Sequence, residues 1–144
     1  MNAPSGKEDV RRPQDIRFFA ILGVLMWGVG TAVYRIAGPL FFEASPLVYW
    51  SNVLLTAVTF CLALRLLLRV RGVEPEGWLT AALAFALPGM AGEVLVLAHF
   101  GDVMNRMRPE TAGRYAAYLF AGYCAFILFA GLSARIAERR APRP

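Results

Sequence analysis

The sequence predicts an all-α membrane protein, an antiparallel bundle of four transmembrane helices. Apolar residues make up 58% of its 144 residues and charged residues only 17%, so a soluble domain of this length could not bury its apolar surface. The apolar residues are gathered into four long runs. Each run reaches the roughly 17 to 25 residues that a helix needs to cross the hydrocarbon of a bilayer. Short polar connections between the runs make neighbouring helices antiparallel.

Two polar tails flank the predicted four-helix domain, residues 16–137. Residues 1–15 contain prolines and a glycine, which predicts a disordered cytoplasmic tail, and residues 138–144 are expected to form a basic cytoplasmic tail. The first apolar run is not interpreted as a signal peptide. Acidic residues precede it, its apolar core is long, and no small-residue cleavage site precedes Arg35.

The first two helices are predicted at about 17–37 and 46–70. Gly38-Pro39 is expected to end the first one, because the residue before a proline disfavours helical backbone. The linker 40–45 is amphipathic and is expected to lie at the membrane interface. Ser45 is a candidate cap for the second helix, which then begins with a proline.

Glycines on the first helix predict close packing against a neighbour. Gly23 and Gly30 are seven residues apart and share one stripe with Trp27. Small residues on one face let two helices approach closely in a membrane.

The third and fourth helices are predicted at about 78–100 and 110–136. Pro88-Gly89 lies near the middle of the third helix, where the proline removes a backbone hydrogen bond and frees the carbonyl of Ala84. We therefore expect a kink there.

The distribution of basic residues predicts the orientation. Eleven of the fifteen Lys and Arg residues lie in the two tails, at the helix ends next to the tails, or near the end of the second helix. The positive-inside rule then places both termini in the cytoplasm.

Polar residues from all four helices fall at similar depth in the outer half of the predicted bundle. At about 1.5 Å per residue, Glu93 lies roughly 10 Å below the outer end of the third helix. A charged side chain there is costly, about 2.5 to 3.5 kcal/mol on insertion scales, so it needs a partner, a proton or water. We predict a polar pocket that contains Glu93, Asn52, Arg35, Tyr34, Arg114 and Tyr118.

Two interpretations of this pocket stay open. In the first, Glu93 binds a proton or an organic cation in a cavity lined by aromatic residues such as Trp27, as in a transporter-like or ligand-binding protein. Small multidrug transporters have four helices and one membrane carboxylate, but theirs lies in the first helix rather than the third. In the second, Glu93 forms an ion pair with Arg35 or Arg114 and fixes the packing of a structural or accessory subunit.

Neither an enzyme nor a metal site is predicted. His99 and Asp102 can share a helical face, but Glu93 precedes His99 by six residues and points elsewhere. No nucleophile motif or phosphate loop occurs. We predict no cofactor and no nucleic-acid partner, since the basic residues sit at the ends of apolar runs. The expected partners are the lipid bilayer and either a second copy of the chain or another membrane protein.

Several short motifs resemble a family of small four-span bacterial inner-membrane proteins of unknown function. They are Leu87-Pro88-Gly89-Met90 with an acidic residue shortly after it, a loop ending in Pro109 and Gly113, and the aromatic-rich YAAYLFAGY of the last helix. The resemblance covers about residues 18–133. It implies a fold and an inner-membrane location, and no activity.

Overall fold

The computed structural model describes residues 13–140, which are almost entirely helical and contain no strand. The α-helices are α1 (Pro13–Phe42), α2 (Pro46–Val70), α3 (Trp78–Ala98), α4 (Phe100–Val103) and α5 (Ala112–Arg140). Of these, α1, α2, α3 and α5 are long and apolar enough to cross a membrane. The predicted all-α four-helix membrane bundle is therefore confirmed, and the chain is a multi-pass membrane protein.

The first helix begins earlier than predicted. Residues 13–15, which we assigned to the tail, are helical: Pro13 suits a first helical turn, and Asp15 is favourable at the positive end of the helix dipole. The Asp15 carboxylate also accepts a hydrogen bond from Arg71 Nη2 at 2.9 Å. At the other end of the domain, α5 extends to Arg140. The rest of the two predicted tails lies outside the described residues.

The first helix also ends later than predicted, because it continues through Gly38-Pro39 to Phe42. A proline within a helix removes one backbone hydrogen bond, here the bond to the carbonyl of Arg35. The Glu43 N–H then donates to the Pro39 carbonyl at 3.0 Å, so the helical bonding continues beyond the proline. Phe42 is fully buried at the end of the bundle that the sequence predicts to be the outer end, and the two ends are called inner and outer in this sense. This burial packs the first part of the expected interfacial linker against the other helices.

The remaining boundaries follow the local signals closely. Ser45 Oγ accepts the Val48 N–H at 3.2 Å and caps α2. The third helix ends at Ala98, two residues before the predicted boundary, and His99 separates it from the short α4. A 3-10 turn over Pro109–Thr111 leads into α5.

The four long helices form a ring in the order α1, α3, α5, α2. The helices α1 and α3 pack most extensively, followed by α2 with α5 and α3 with α5, whereas α1 and α2 touch much less. At Gly23, a Cβ atom would overlap the backbone carbonyl of Phe85, so α3 comes close to α1 there. At Gly30, a Cβ atom would meet open space. Only the inner part of the predicted glycine stripe is therefore a tight contact.

The interior divides into two clusters. The inner cluster is wholly apolar and includes Phe19, Leu64, Leu68, Ala82, Phe126 and Ala130. The outer cluster is rich in aromatic side chains and includes Phe42, Tyr49, Phe100, Met104, Tyr115 and Tyr118. The buried polar or charged residues of the described chain, Asn52, Glu93 and Thr111, therefore lie in the outer half.

A carboxylate in the α1–α2 connection holds the outer end together. Glu43 Oε1 accepts a hydrogen bond from Thr111 Oγ1 at 2.6 Å and from the Arg108 N–H at 2.7 Å. The Arg108 Nε lies 3.4 Å from the other carboxylate oxygen. Glu43 therefore joins the first connection of the chain to the start of the last helix.

Acid should weaken this contact at the outer end. The hydrogen bond from Thr111 lowers the pKa of the Glu43 carboxyl below its ordinary value of 4.5. The contact therefore stabilises the fold fully above pH 4.5, and its contribution is lost as the pH falls through the lower pKa of the folded state. We expect thermal stability in detergent to fall below pH 4.5 more steeply in the native chain than in Glu43→Gln. Parallel curves for the two proteins would contradict this role.

Two glycines of α1 offer a matched test of helix packing. Gly23→Ala should lower the free energy of unfolding by about 1 to 3 kcal/mol, because its methyl group collides with the α3 backbone. Gly28→Ala should leave stability unchanged or raise it by up to about 1 kcal/mol, since alanine favours helix and its Cβ meets no atom within 4 Å. Denaturant titration of helical circular dichroism in detergent measures both. Equal effects at the two positions would disprove the close approach.

Candidate functional site

The Glu93 carboxylate lies inside the bundle and has one hydrogen-bond donor among the described residues. Its side chain belongs to α3 and is only 7% exposed. The Tyr115 hydroxyl on α5 lies 3.2 and 3.3 Å from the two carboxylate oxygens. A hydroxyl carries a single proton, so the two oxygens share one neutral donor.

The expected ion pair between Glu93 and an arginine does not form within residues 13–140. Arg35 is exposed on α1. Arg114 Nη1 donates to the backbone carbonyl of Phe42 at 3.1 Å, and the Arg114 carbonyl accepts the Tyr49 hydroxyl at 3.2 Å. Arg114 thus ties the outer ends of α1, α2 and α5 together. These two arginines were predicted to be in the pocket, and the structure places them outside it.

Three other predicted residues form one hydrogen-bonded chain across the bundle. The hydroxyl oxygens of Tyr34 and Tyr118 are 2.8 Å apart, and the Tyr34 hydroxyl donates to Asn52 Oδ1 at 3.3 Å. Because Tyr34 has one proton and gives it to Asn52, Tyr118 must donate to Tyr34. Thr56 Oγ1 donates to the same amide oxygen at 3.5 Å. This chain connects α1, α2 and α5 at the depth of Glu93.

A cavity of about 100 Å³ lies beside Glu93. The side chains with polar atoms in its lining are Trp27, Tyr34, Thr56, Glu93, Tyr115, Tyr118 and Tyr123. The rings of Phe60, Phe85 and Phe126 complete its aromatic part. Gly30 and Gly122 also line it, and a Cβ atom at either would meet nothing within 4 Å, so these glycines leave the space unfilled. Apolar and aromatic side chains thus surround one acidic group.

The predicted kink residues lie next to this cavity. Pro88 lies within α3, which runs as one helix from Trp78 to Ala98. Gly89 is buried, and a Cβ atom there would lie 2.7 Å from the Tyr123 hydroxyl. The missing side chain at Gly89 therefore allows Tyr123 to lie against α3 below Glu93.

Two contributions were missed from the sequence, and helical spacing could have revealed both. Tyr115 is the donor to Glu93, and it precedes Tyr118 by three residues, which places both on one face of α5. Thr56 follows Asn52 by four residues and meets it on one face of α2. Contacts between different helices, such as that of Tyr123 with Gly89, carry no comparable sequence signal.

The residues considered for a metal site lie apart from the cavity. His99 and Asp102 are exposed at the outer end, and His99 Nδ1 lies 3.2 Å from the Leu95 carbonyl. In the described part of the chain, no three His, Cys, Asp or Glu side chains come together in a way that could hold a metal ion.

Comparison with known proteins identifies one family. DUF5367, described as a family of unknown function, matches residues 41–136, which include α2, α3 and most of α5. No curated protein and no solved structure gives a significant match.

A double-mutant cycle should show that Glu93 is coupled to Tyr115 and not to an arginine. Combining Glu93→Leu with Tyr115→Phe should give a coupling energy of about 0.5 to 1.7 kcal/mol, the range of interhelical hydrogen bonds in membranes. The matched cycle of Glu93→Leu with Arg35→Gln should give none within error, because Arg35 is exposed and forms no salt bridge with Glu93. Unfolding in mixed detergent micelles provides the free energies. Stronger coupling to Arg35 or to Arg114 than to Tyr115 would restore the ion-pair interpretation.

Proposed function

The chain belongs to DUF5367, a family of unknown function, and we propose from its site that it binds an organic cation beside Glu93. The observation that carries the proposal is a buried carboxylate with one neutral donor and no cationic partner among residues 13–140. A carboxylate at this depth is costly in its charged form. A proton or a bound cation can neutralise it, and exchange between the two would link binding to pH.

The aromatic lining supports an organic cation rather than a metal ion. Ring faces attract a cation by about 0.5 to 2 kcal/mol each, depending on desolvation, and aromatic cages of this kind recognise quaternary ammonium groups. Trp27, Tyr34, Tyr118 and Tyr123 all line the cavity that Glu93 lines. A metal ion would require several oxygen or nitrogen ligands, whereas Glu93 is the single carboxylate of the cavity wall.

The alternative is a structural or accessory subunit, and the interhelical hydrogen bonds favour it. Tyr115 with Glu93 joins α5 to α3, and the Tyr118–Tyr34–Asn52 chain joins α5, α1 and α2. In this case the polar groups would only fix the packing of the bundle. A second copy or another membrane protein would then cover part of its apolar surface.

We propose binding or transport rather than catalysis, since the cavity holds no nucleophile paired with a base. The location that we propose is the inner membrane of a bacterium, with both termini in the cytoplasm. The Asp15–Arg71 pair supports this orientation, because it joins the start of α1 to the end of α2 at the end of the bundle where the basic residues are concentrated.

Two probes of equal shape test the proposal. Benzyltrimethylammonium should bind the purified protein in nanodiscs, whereas its neutral carbon analogue neopentylbenzene should bind at least about tenfold more weakly, because only the cation gains from the carboxylate. Glu93→Gln should remove this preference while the fold is kept, since Tyr115 can donate to the amide oxygen. Cation binding should also weaken from pH 8 to pH 5, because protons compete for the carboxylate. Isothermal titration calorimetry measures each effect.

The structural alternative predicts a different pattern. If Glu93→Gln changes only the melting temperature, and neither probe binds at any pH between 5 and 8, the cavity has no role in cation binding. Asn105→Gln serves as the control amide variant, because Asn105 is exposed in the outer connection, away from the cavity lining.

A further inference from the structure

The cavity beside Glu93 is covered on its outer side. Phe42, Phe100, Met104 and Tyr115 are buried above it, and the segment from α4 to the 3-10 turn packs over the ends of the helices. Met107 is buried against Gly38, where a Cβ atom would lie within 3 Å of its side chain. This end of the bundle therefore offers no direct path between Glu93 and the outer aqueous phase.

The inner side of the cavity is covered as well. The rings of Phe60 and Phe85 have centroids 6.5 Å apart, and Phe85 and Phe126 have centroids 5.2 Å apart. These three rings come from α2, α3 and α5 and form a layer below the cavity. The apolar inner cluster extends from this layer to the inner end of the bundle.

The opening lies sideways, between α1 and α2. A second space of about 290 Å³ separates these two helices. It has six lining residues in common with the cavity of Glu93, namely Met26, Gly30, Tyr34, Thr56, Phe60 and Tyr118. Tyr118 belongs to α5, so the gap between α1 and α2 extends inward as far as α5 on the other side of the bundle. Cavity and gap therefore adjoin along this shared wall.

We propose that this gap holds the alkyl tail of a single-chain amphiphilic cation whose head group lies beside Glu93. The inference rests on the proposed function and names its ligand class. Three apolar residues line the gap but not the cavity beside Glu93, namely Val29, Val33 and Leu55. All three are exposed on the surface that faces lipid. An alkyl tail that leaves the cavity there enters the lipid hydrocarbon, which is a favourable environment for an apolar chain. The cationic head group stays beside the Glu93 carboxylate.

Two adjacent leucines on α2 provide a matched pair of variants. Leu54 and Leu55 are each 65% exposed, but only Leu55 lines the gap. The tryptophan of Leu55→Trp should therefore occupy part of the gap, whereas that of Leu54→Trp should face lipid elsewhere. The two probes have the same head group: benzyldimethyldodecylammonium carries a long tail, and benzyltrimethylammonium has none.

Leu55→Trp should weaken equilibrium binding of the dodecyl probe at least about tenfold in nanodiscs and change binding of the tail-free probe less than about twofold. Leu54→Trp should change neither, and Val29→Trp, on the facing helix, should reproduce the effect of Leu55→Trp. Equal effects of Leu54→Trp and Leu55→Trp would overturn the tail site. So would a shift in oligomeric state with Leu55→Trp, which would identify the gap as a helix interface between copies. If neither probe binds the native chain, cation binding itself is wrong, and that result does not depend on the variants.

Discussion

A bilayer offers the helices no hydrophobic drive to associate, because lipid tails are as apolar as leucine, and it offers polar groups no water. This constraint explains where the packing of the chain is tight and where it is not. Large apolar side chains such as Leu54 and Leu55 lie exposed on the outside of the bundle. Contact between helices depends instead on small residues and on hydrogen bonds. Gly23 lets α1 approach the backbone of α3, and Gly92 receives the ring of Trp27. The most extensive helix contact, between α1 and α3, is the one that these glycines allow.

The helices are held together by different interactions in the two halves of the bundle. The inner half is held by van der Waals packing around Phe19, Leu68 and Ala82, with the exposed Asp15–Arg71 pair at its end. Such an exposed pair contributes about 0 to 1 kcal/mol, so packing dominates there. The outer half combines aromatic packing with hydrogen bonds, most of which join different helices or connections. Glu43 and Arg114 close this half from outside, through contacts to the start of α5 and the end of α1. The proposed site needs a defined arrangement of polar groups, and it lies in the half of the bundle where hydrogen bonds fix those groups.

The sequence predicts the four spans well, because hydropathy and the length of a run are local properties. Counting depth from the helix ends also brings Tyr34, Asn52 and Tyr118 to one level, and the structure joins them by hydrogen bonds. Depth gives no direction around a helix axis, so the reach of Arg114 to a backbone carbonyl could not be predicted, whereas the three-residue spacing of Tyr115 and Tyr118 could have placed Tyr115 on the pocket face. The end of α1 was missed for a related reason. The proline rule describes local backbone preference, whereas the burial of Phe42 is a tertiary contact that outweighs it. The Glu43–Thr111 contact forms only because two connections distant in sequence lie side by side, and the residue spacing within either connection does not predict it.

Counting protons shows why Glu93 differs from the other polar groups of the outer half. The Tyr118 proton goes to Tyr34, the Tyr34 proton goes to Asn52, and Thr56 donates to the same amide oxygen. The protons of Tyr118, Tyr34 and Thr56 are therefore used within this chain of hydrogen bonds, and none of them is donated to the Glu93 carboxylate. Among the described residues, Tyr115 is the one donor within hydrogen-bond distance of Glu93, and its single proton serves two oxygens that in the ionised form can together accept about four hydrogen bonds. A residue whose only task was to fix packing would do so as well with an amide, which carries no charge and accepts the same bond. An ionisable side chain at Glu93 beside an aromatic cavity is the feature that packing does not require, and it is the one that the proposed cation would use.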